Sequence, residues 1–402
     1  MLYNSYIFIF LFLPITLLGF HLLGKKGHYR LTIGWLVAAS LFFYGWWNPI
    51  YIALLVGSAL FNYAASFVLL NKPHKFFLSL GILGNLGALV YFKYANFFVD
   101  NINILLDNNI ILEQIILPLG ISFFTFQQIT YLIDTYLGKA KEHNFLQYCL
   151  FVTFFPQLIA GPIVHHKRMM PQFAKGVLEK LKLENLAAGI TTFIIGLFKK
   201  VVLADNIAFF ATPSFNAAEH GFNLTFFEAW GAALAYTFQL YFDFSGYSDM
   251  AVGLGLMFGI ALPINFLSPF KTKNISEFWR CWHISLSKFI RDYLYYPISL
   301  SLTRYVLNKN LGNIGIFILG IFTPTMFAFF WAGLWHGPAW HFVLFGLLHG
   351  TYIVIYNIWI KIINMIPEDK RIKKNNITNF IGQFITFTAV IFSLVIFRVE
   401  TI

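Results

Sequence analysis

The chain has 402 residues, of which 58% are hydrophobic and 20% aromatic, while Lys, Arg, Asp and Glu together make 11%, against about a quarter in soluble domains. An apolar excess of that size cannot be hidden in a soluble core and excludes an ordinary globular enzyme; at about 20 residues per crossing it allows roughly ten to twelve membrane spans. The net charge of +11 comes without a polar domain on which it could cluster, which excludes nucleic-acid binding and leaves the surplus as juxtamembrane Lys and Arg on the cytoplasmic side.

In chain order, the apolar run from Tyr6 to Leu23 has no charged leader and reads as an uncleaved first span. Further runs lie near 31–47, 50–70, 76–92, 115–133, 145–164, 186–203, 224–242, 251–267, 314–331, 340–360 and 380–397. The run 115–133 contains Pro118, Gly120 and Gln127-Gln128, and 145–164 holds Pro156 and Gly161-Pro162. Broken or re-entrant segments are expected there, since irregular backbone survives at membrane depth only inside protein or beside water. Lys25, Lys26 and Arg30, Lys72 with Lys75, and Lys139 with Lys141 follow the first, third and fifth runs, which places the N-terminus outside. His28, His74, His143, His165, His166 and His220 read as solvated loop residues. Gly81 with Gly84 and Gly253 with Gly255 suit close helix packing. Cys149 and Cys281 lie in aromatic stretches, so neither a disulfide framework nor a cysteine metal site is expected. With no internal repeat and no soluble segment, the expectation is one all-α polytopic domain over residues 1–402.

A polar group inside an apolar span is costly, so such positions are the first candidates for chemistry. Asp243 and Asp249 sit in Tyr241-Phe-Asp-Phe-Ser-Gly-Tyr-Ser-Asp249. Six residues apart they diverge by roughly 120° on a helix, which disfavours an acid–base pair and favours caps or interhelical hydrogen bonds unless Gly246 breaks the helix. The stretch from Asn274 to Tyr296 opens with a cap and is expected to stop at Pro297. On one helix, Arg280, His283, Ser287 and Arg291 would share an arc of roughly 80°, opposite Phe278, Trp282, Phe289, Tyr293 and Tyr296. That face would either meet lipid phosphates at the interface or line a cavity for a phosphate-bearing donor, with His283 handling a proton or a hydrogen bond. The third stretch carries His336, His341 and His349 with a break at Gly337-Pro338. Their divergence and the lack of acidic neighbours argue against a metal site. A structural histidine, or for His336 a base beside the break that deprotonates an acceptor hydroxyl, fits better.

Taken in order, Leu117-Pro-Leu-Gly-Ile-Ser-Phe-Phe-Thr-Phe-Gln127, Phe154-Phe-Pro-Gln-Leu-Ile-Ala-Gly-Pro-Ile163, Gly196-Leu-Phe-Lys-Lys200, the Asp243 stretch, Phe278-Trp-Arg-Cys-Trp-His283 and Leu334-Trp-His-Gly337 resemble the membrane-bound O-acyltransferase (MBOAT) family, in its alginate O-acetyltransferase-like branch. The resemblance covers about residues 35–360, with the core motifs in 115–360. It implies a helical body with an intramembrane tunnel, His336 as catalytic residue and His283 as a second functional position. It also implies acetyl-CoA as a donor substrate in place of any tightly bound cofactor, a cell-envelope polysaccharide acceptor such as alginate or peptidoglycan, and a separate extracytoplasmic acyltransferase partner. Arg280, Arg291, Ser287, Asp243 and Asp249 are the expected substrate contacts, and a multi-pass place in a bacterial cytoplasmic (inner) membrane follows. D-alanyl transfer to teichoic acid, a transporter and a scaffold for another acetyltransferase are the competing expectations. Two features depart from the branch: Ile298-Ser-Leu-Ser-Leu-Thr-Arg304 replaces a Leu-Gly-Gly-Asn-Arg-like turn, which bears on the acceptor. The chain also stops at Ile402, where relatives continue through further helix, so a shortened C-terminus is expected.

Overall fold

The computed structural model describes residues 1–107, 109–140, 144–174, 182–371 and 375–399; Lys141, His143 and residues 400–402 lie outside this set. Apolar runs in a bilayer can satisfy their amides only within a helix or a closed barrel, and here they form helices, with no strand among the described residues. In chain order these are α1 Phe8–Lys25, α2 Tyr29–Gly45, α3 Ile50–Asn71, α4 Lys75–Leu106, α5 Ile121–Tyr136, α6 Phe145–Thr153, α7 Leu183–Glu219 and α8 Phe226–Met257. There follow α9 Ile275–Cys281, α10 Ile284–Ile290, α11 Tyr296–Asn308, α12 Gly312–His336, α13 Trp340–Met365 and α14 Asn376–Arg398. Among the described residues, seven of these, α1, α3, α4, α7, α12, α13 and α14, are long and apolar enough to cross a bilayer. The chain is an all-α polytopic membrane protein.

Several expected boundaries are corrected. The runs near 224–242 and 251–267 are not two spans: one helix, α8, continues through Gly246, and the chain is non-helical from Ile260 to Leu267. Gly246 marks close packing, because a Cβ there would stand 2.7 Å from the Gly196 carbonyl oxygen. The run 115–133 becomes helical only at Ile121, after a non-helical strap whose backbone is held by Asn96 and Asn103. His166 is not solvated: it is buried, its Nδ1 lies 3.4 Å from Asp134 Oδ2, and burial pushes its protonation downward against the pull of that carboxylate.

The fold divides into two units, Met1–Val201 with Phe244–Pro263, and Val202–Asp243 with Ile264–Ile402. In the first, α3 and α4 are joined by reciprocal amide hydrogen bonds between Asn62 and Asn85 at 3.0 and 2.6 Å. Such bonds are favoured between helices in lipid, where no water competes for the amides. The broken segment after α6 is buried in protein: Gln127 and Gln157 both donate to the Phe151 carbonyl, at 2.7 and 2.6 Å, and Tyr3 donates to Phe155. Gly189 and Gly253 allow α7 and α8 to approach backbone to backbone, and Lys199 Nζ bridges to Asp249 Oδ2 at 2.6 Å beside them. The second unit packs Tyr236, Phe278, Trp282, Phe345 and Leu394 into an aromatic core, with α12 and α13 closely paired through Gly333 and Gly346. The candidate site lies in this unit.

Candidate active site

Asn274 caps α9 by accepting from the Glu277 amide at 2.9 Å. The helix then stops after two turns, because Asn265 takes over the amides that would continue it. The Ile284 N–H donates to the Asn265 carbonyl at 3.0 Å and the Ser285 N–H to its side-chain oxygen at 3.2 Å, while the Cys281 carbonyl is occupied by Leu267. His283 is left in the left-handed region with φ +40°, an uncommon conformation for a side-chain-bearing residue and one that is held only when its surroundings enforce it. The single amphipathic helix expected from Asn274 to Tyr296 is therefore wrong, and Pro297 does not end it but sits in the first turn of α11.

The break separates the expected arc into two groups. Arg280 on α9, Ser287 on α10 and Arg291 beyond it still meet, lining one cavity of about 470 Å³ with Trp279, Lys288 and Asn357. Arg291 also donates from Nε to Asp292 at 2.9 Å, and Ser287 donates to the Trp282 carbonyl at 3.2 Å. His283 does not line this cavity. It is only 1% exposed, with its ring 5.8 Å from that of Trp335. Burial, reinforced by the charge that His336 can carry, pushes its protonation well below the ordinary histidine range, so His283 is neutral at neutral pH.

His336 is the last residue of α12. Gly337 follows in extended backbone, and a Cβ there would collide with the Phe342 ring, so only glycine leaves room for the turn into α13. The half-buried His336 ring is surrounded by Trp335, Phe397 and Phe345 at centroid distances of 4.9, 5.1 and 5.8 Å. The other two histidines of this stretch are on α13, and His349 is a hydrogen-bonded structural residue. Its Nδ1 accepts from Trp279 Nε1 at 3.2 Å, and its Nε2 lies 2.8 Å from Ser393 Oγ. Because that hydroxyl donates to the Val390 carbonyl, it must accept from His349, which fixes the neutral Nε2–H tautomer. Among the described residues no group of three His, Cys, Asp or Glu is placed to hold a metal.

The two aspartates are not brought to the cavity. Asp249 is bridged to Lys199 in the first unit, and Asp243 is half-buried on α8. Sequence reasoning missed Asn265, Lys288 and the Trp279–His349–Ser393 relay. Asn265 and Ser393 lie inside apolar runs and could have been found by the same test that flagged Asp243.

The family model for MBOAT, membrane-bound O-acyltransferase family, matches residues 133–397. A peptidoglycan O-acetyltransferase of Helicobacter pylori is 44% identical over 387 residues, covering 89% of this chain and 70% of the relative. A protein of Pseudomonas aeruginosa named "Probable alginate O-acetylase AlgI" is 38% identical over 413 residues, covering 100% and 73%. More distantly, a teichoic acid D-alanyltransferase of Streptococcus thermophilus is 31% identical over 289 residues, covering 69% and 68%.

Proposed function

We propose, since this chain belongs to the membrane-bound O-acyltransferase family and is an O-acyltransferase, that it moves acetyl groups from acetyl-CoA across a bacterial inner membrane to hydroxyls of an exported envelope polysaccharide. The observation that carries this reading is one junction: a half-buried His336 at the turn between α12 and α13, a neutral His283 across Trp335, and a cavity walled by the same two helices and bearing Arg280, Lys288 and Arg291. Planar guanidinium groups and a lysine in one cavity suit a donor with several phosphates.

In this mechanism His336 takes the proton of the acceptor hydroxyl as its oxygen attacks the thioester carbonyl. The carbon–oxygen bond forms, the carbon–sulfur bond breaks, and the departing thiolate receives the proton from the His336 imidazolium. His283, kept neutral by burial, offers a hydrogen bond to the developing oxyanion without competing for the proton. Ser287 helps to order the donor, and Asp243 shapes the surroundings. Asp249 acts through its bridge to Lys199. Residues 1–402 work as one catalytic domain, with an extracytoplasmic acyltransferase as partner.

The test is transfer of labelled acetyl from acetyl-CoA to envelope material in membranes holding this chain, with D-alanine label in parallel. His336→Ala at matched expression should abolish acetyl transfer, and Arg280→Gln with Arg291→Gln should raise the donor KM by tenfold or more. Equal label with and without His336 would remove it as the base.

A further inference from the structure

The segment Ile298–Arg304, which departs from the branch, forms the first half of α11. The two sides of this helix differ. Ile298, Ser299, Leu302, Thr303 and Val306 turn inward. Ser299 donates to the Gly320 carbonyl of α12 at 2.6 Å, and a Cβ on Gly320 would stand 2.7 Å from Thr303 Oγ1. Pro297, Leu300, Ser301, Arg304, Tyr305 and Asn308 take the other side, at the spacing of one helix face, and line an open groove of about 470 Å³. Leu300 and Tyr305 are 56% and 52% exposed, and no ion pair or hydrogen bond to another described residue holds Arg304.

The groove lies at the cytoplasmic leaflet. Lys370, Arg371, Lys373 and Lys374 precede α14, so the positive-inside rule puts the end of α13 inside. Lys361, one turn before that end, holds its Nζ 5.9 Å over the Phe317 ring near the start of α12, so α12 begins at the same face. Gly320 comes eight residues into α12 and is about 12 Å deeper at 1.5 Å per residue, whereas Asn308 precedes the start of α12 by four residues. The helix α11 therefore slants from the bilayer interior at Pro297 to the surface at Asn308. Its free face is graded in the same direction, with Pro297 and Leu300 deep and Arg304 and Asn308 toward water. Tyr305 sits at the boundary, where such rings collect. Between Asp292 and Glu368 the sequence has no acidic residue and three basic ones, Arg304, Lys309 and Lys361, so the chain around the groove supplies only positive charge.

We infer that the free face of α11 seats one anionic phospholipid of the inner leaflet. Its phosphodiester rests on the Arg304 guanidinium, with Ser301 and Asn308 donating beside it, and an acyl chain follows Leu300 and Pro297. A planar guanidinium matches two phosphate oxygens at once, and a cation above an apolar surface repeats the order of headgroup and chain in the lipid itself. A soluble phosphate ester would engage the cation and gain nothing from the apolar half. None of the six groove residues lines the donor cavity, although Tyr296 of that cavity adjoins Pro297 of the groove.

The test titrates the full chain, delipidated in neutral detergent, with phosphatidylglycerol or phosphatidylcholine and counts bound lipid by native mass spectrometry. Wild type should hold one phosphatidylglycerol about fivefold or more tightly than phosphatidylcholine. Arg304→Gln should lose that preference, Arg304→Lys should keep part of it, and Leu300→Asn should weaken both lipids together. Lys72→Gln removes the same charge from the turn between α3 and α4 and should leave the preference unchanged. Neither glycerophosphoglycerol, the headgroup without its chains, nor CoA should displace the lipid. If Arg304→Gln does not fold, the wild-type preference, Arg304→Lys and Leu300→Asn decide. Equal binding of the two lipids by wild type would overturn the proposal, as would an unchanged preference in Arg304→Gln or an equal loss in Lys72→Gln, which would reduce the effect to net charge. Displacement by CoA or glycerophosphoglycerol would overturn it too, making the groove a site for soluble phosphate esters.

Discussion

Gly346→Ala tests whether the α12–α13 contact sets the position of His336. A Cβ on Gly346 would fall deep inside the contact distance of the Phe329 carbonyl oxygen and within 2.9 Å of the Gly333 Cα. Neither is a flexible side-chain end, so the helices themselves must separate by about 1 Å; an overpacked core of this kind costs about 1–3 kcal/mol. The separation is felt at His336, three residues beyond Gly333 on α12, and a misplacement of about 1 Å at a reacting group costs roughly 10²-fold in rate. Gly57 is the control, because it lies mid-helix on α3 with open space where its Cβ would go; there alanine should be neutral or stabilising by up to about 1 kcal/mol. The assay pairs thermal unfolding in detergent with labelled acetyl transfer. Gly346→Ala behaving like Gly57→Ala in both measurements would refute the reasoning, because His336 would then not depend on how closely the two helices pack.

Three further outcomes are expected. His283 stays neutral in the fold while an unfolded histidine takes a proton below about pH 6.5, so stability should be full above that pH and fall by about 1.4 kcal/mol per unit as pH drops below it; His283→Gln should flatten that part of a melting-temperature profile. Ser393→Ala strands the Nε2–H of His349 and should lower stability by about 1–3 kcal/mol, seen as earlier unfolding, with the acetyl-CoA KM little changed. Asp249→Asn should destabilise the protein more than the double variant Asp249→Asn with Lys199→Met, because the single change leaves a half-buried cation without its partner; equal losses in a cycle of melting curves would remove the bridge from the account.

The helical class and most spans were legible in the sequence because a 20-residue apolar run has few alternatives in lipid. The breaks at Pro156 and Gly337 were legible for the same local reason, since proline and glycine carry their geometry with them. The break at His283 was not, because its cause is Asn265, eighteen residues upstream, whose carbonyl and amide oxygens capture the Ile284 and Ser285 amides. A periodicity argument sees only residues along one helix, so it placed His283 with the arginines when the chain turns it away from them. The same limit hid Ser393, whose value lies in meeting His349 from another helix. Gly246 is open on sequence alone: a glycine flanked by polar residues can break a helix, yet here it lets two backbones touch.

The Lys199–Asp249 bridge also bears on how the protein is made. An aspartate in the middle of an apolar helix resists entry into the bilayer by about 2.5–3.5 kcal/mol at the centre of a span. Lys199 precedes it in the chain on α7, beside the glycines that bring α7 and α8 together. The earlier helix therefore offers a waiting counter-charge to the later one, and the natural unit of membrane insertion is the α7–α8 hairpin and not α8 alone. Reporter tags placed after Met257 should show α8 entering poorly when α7 is replaced by a polyleucine span and efficiently when Lys199 is restored within it.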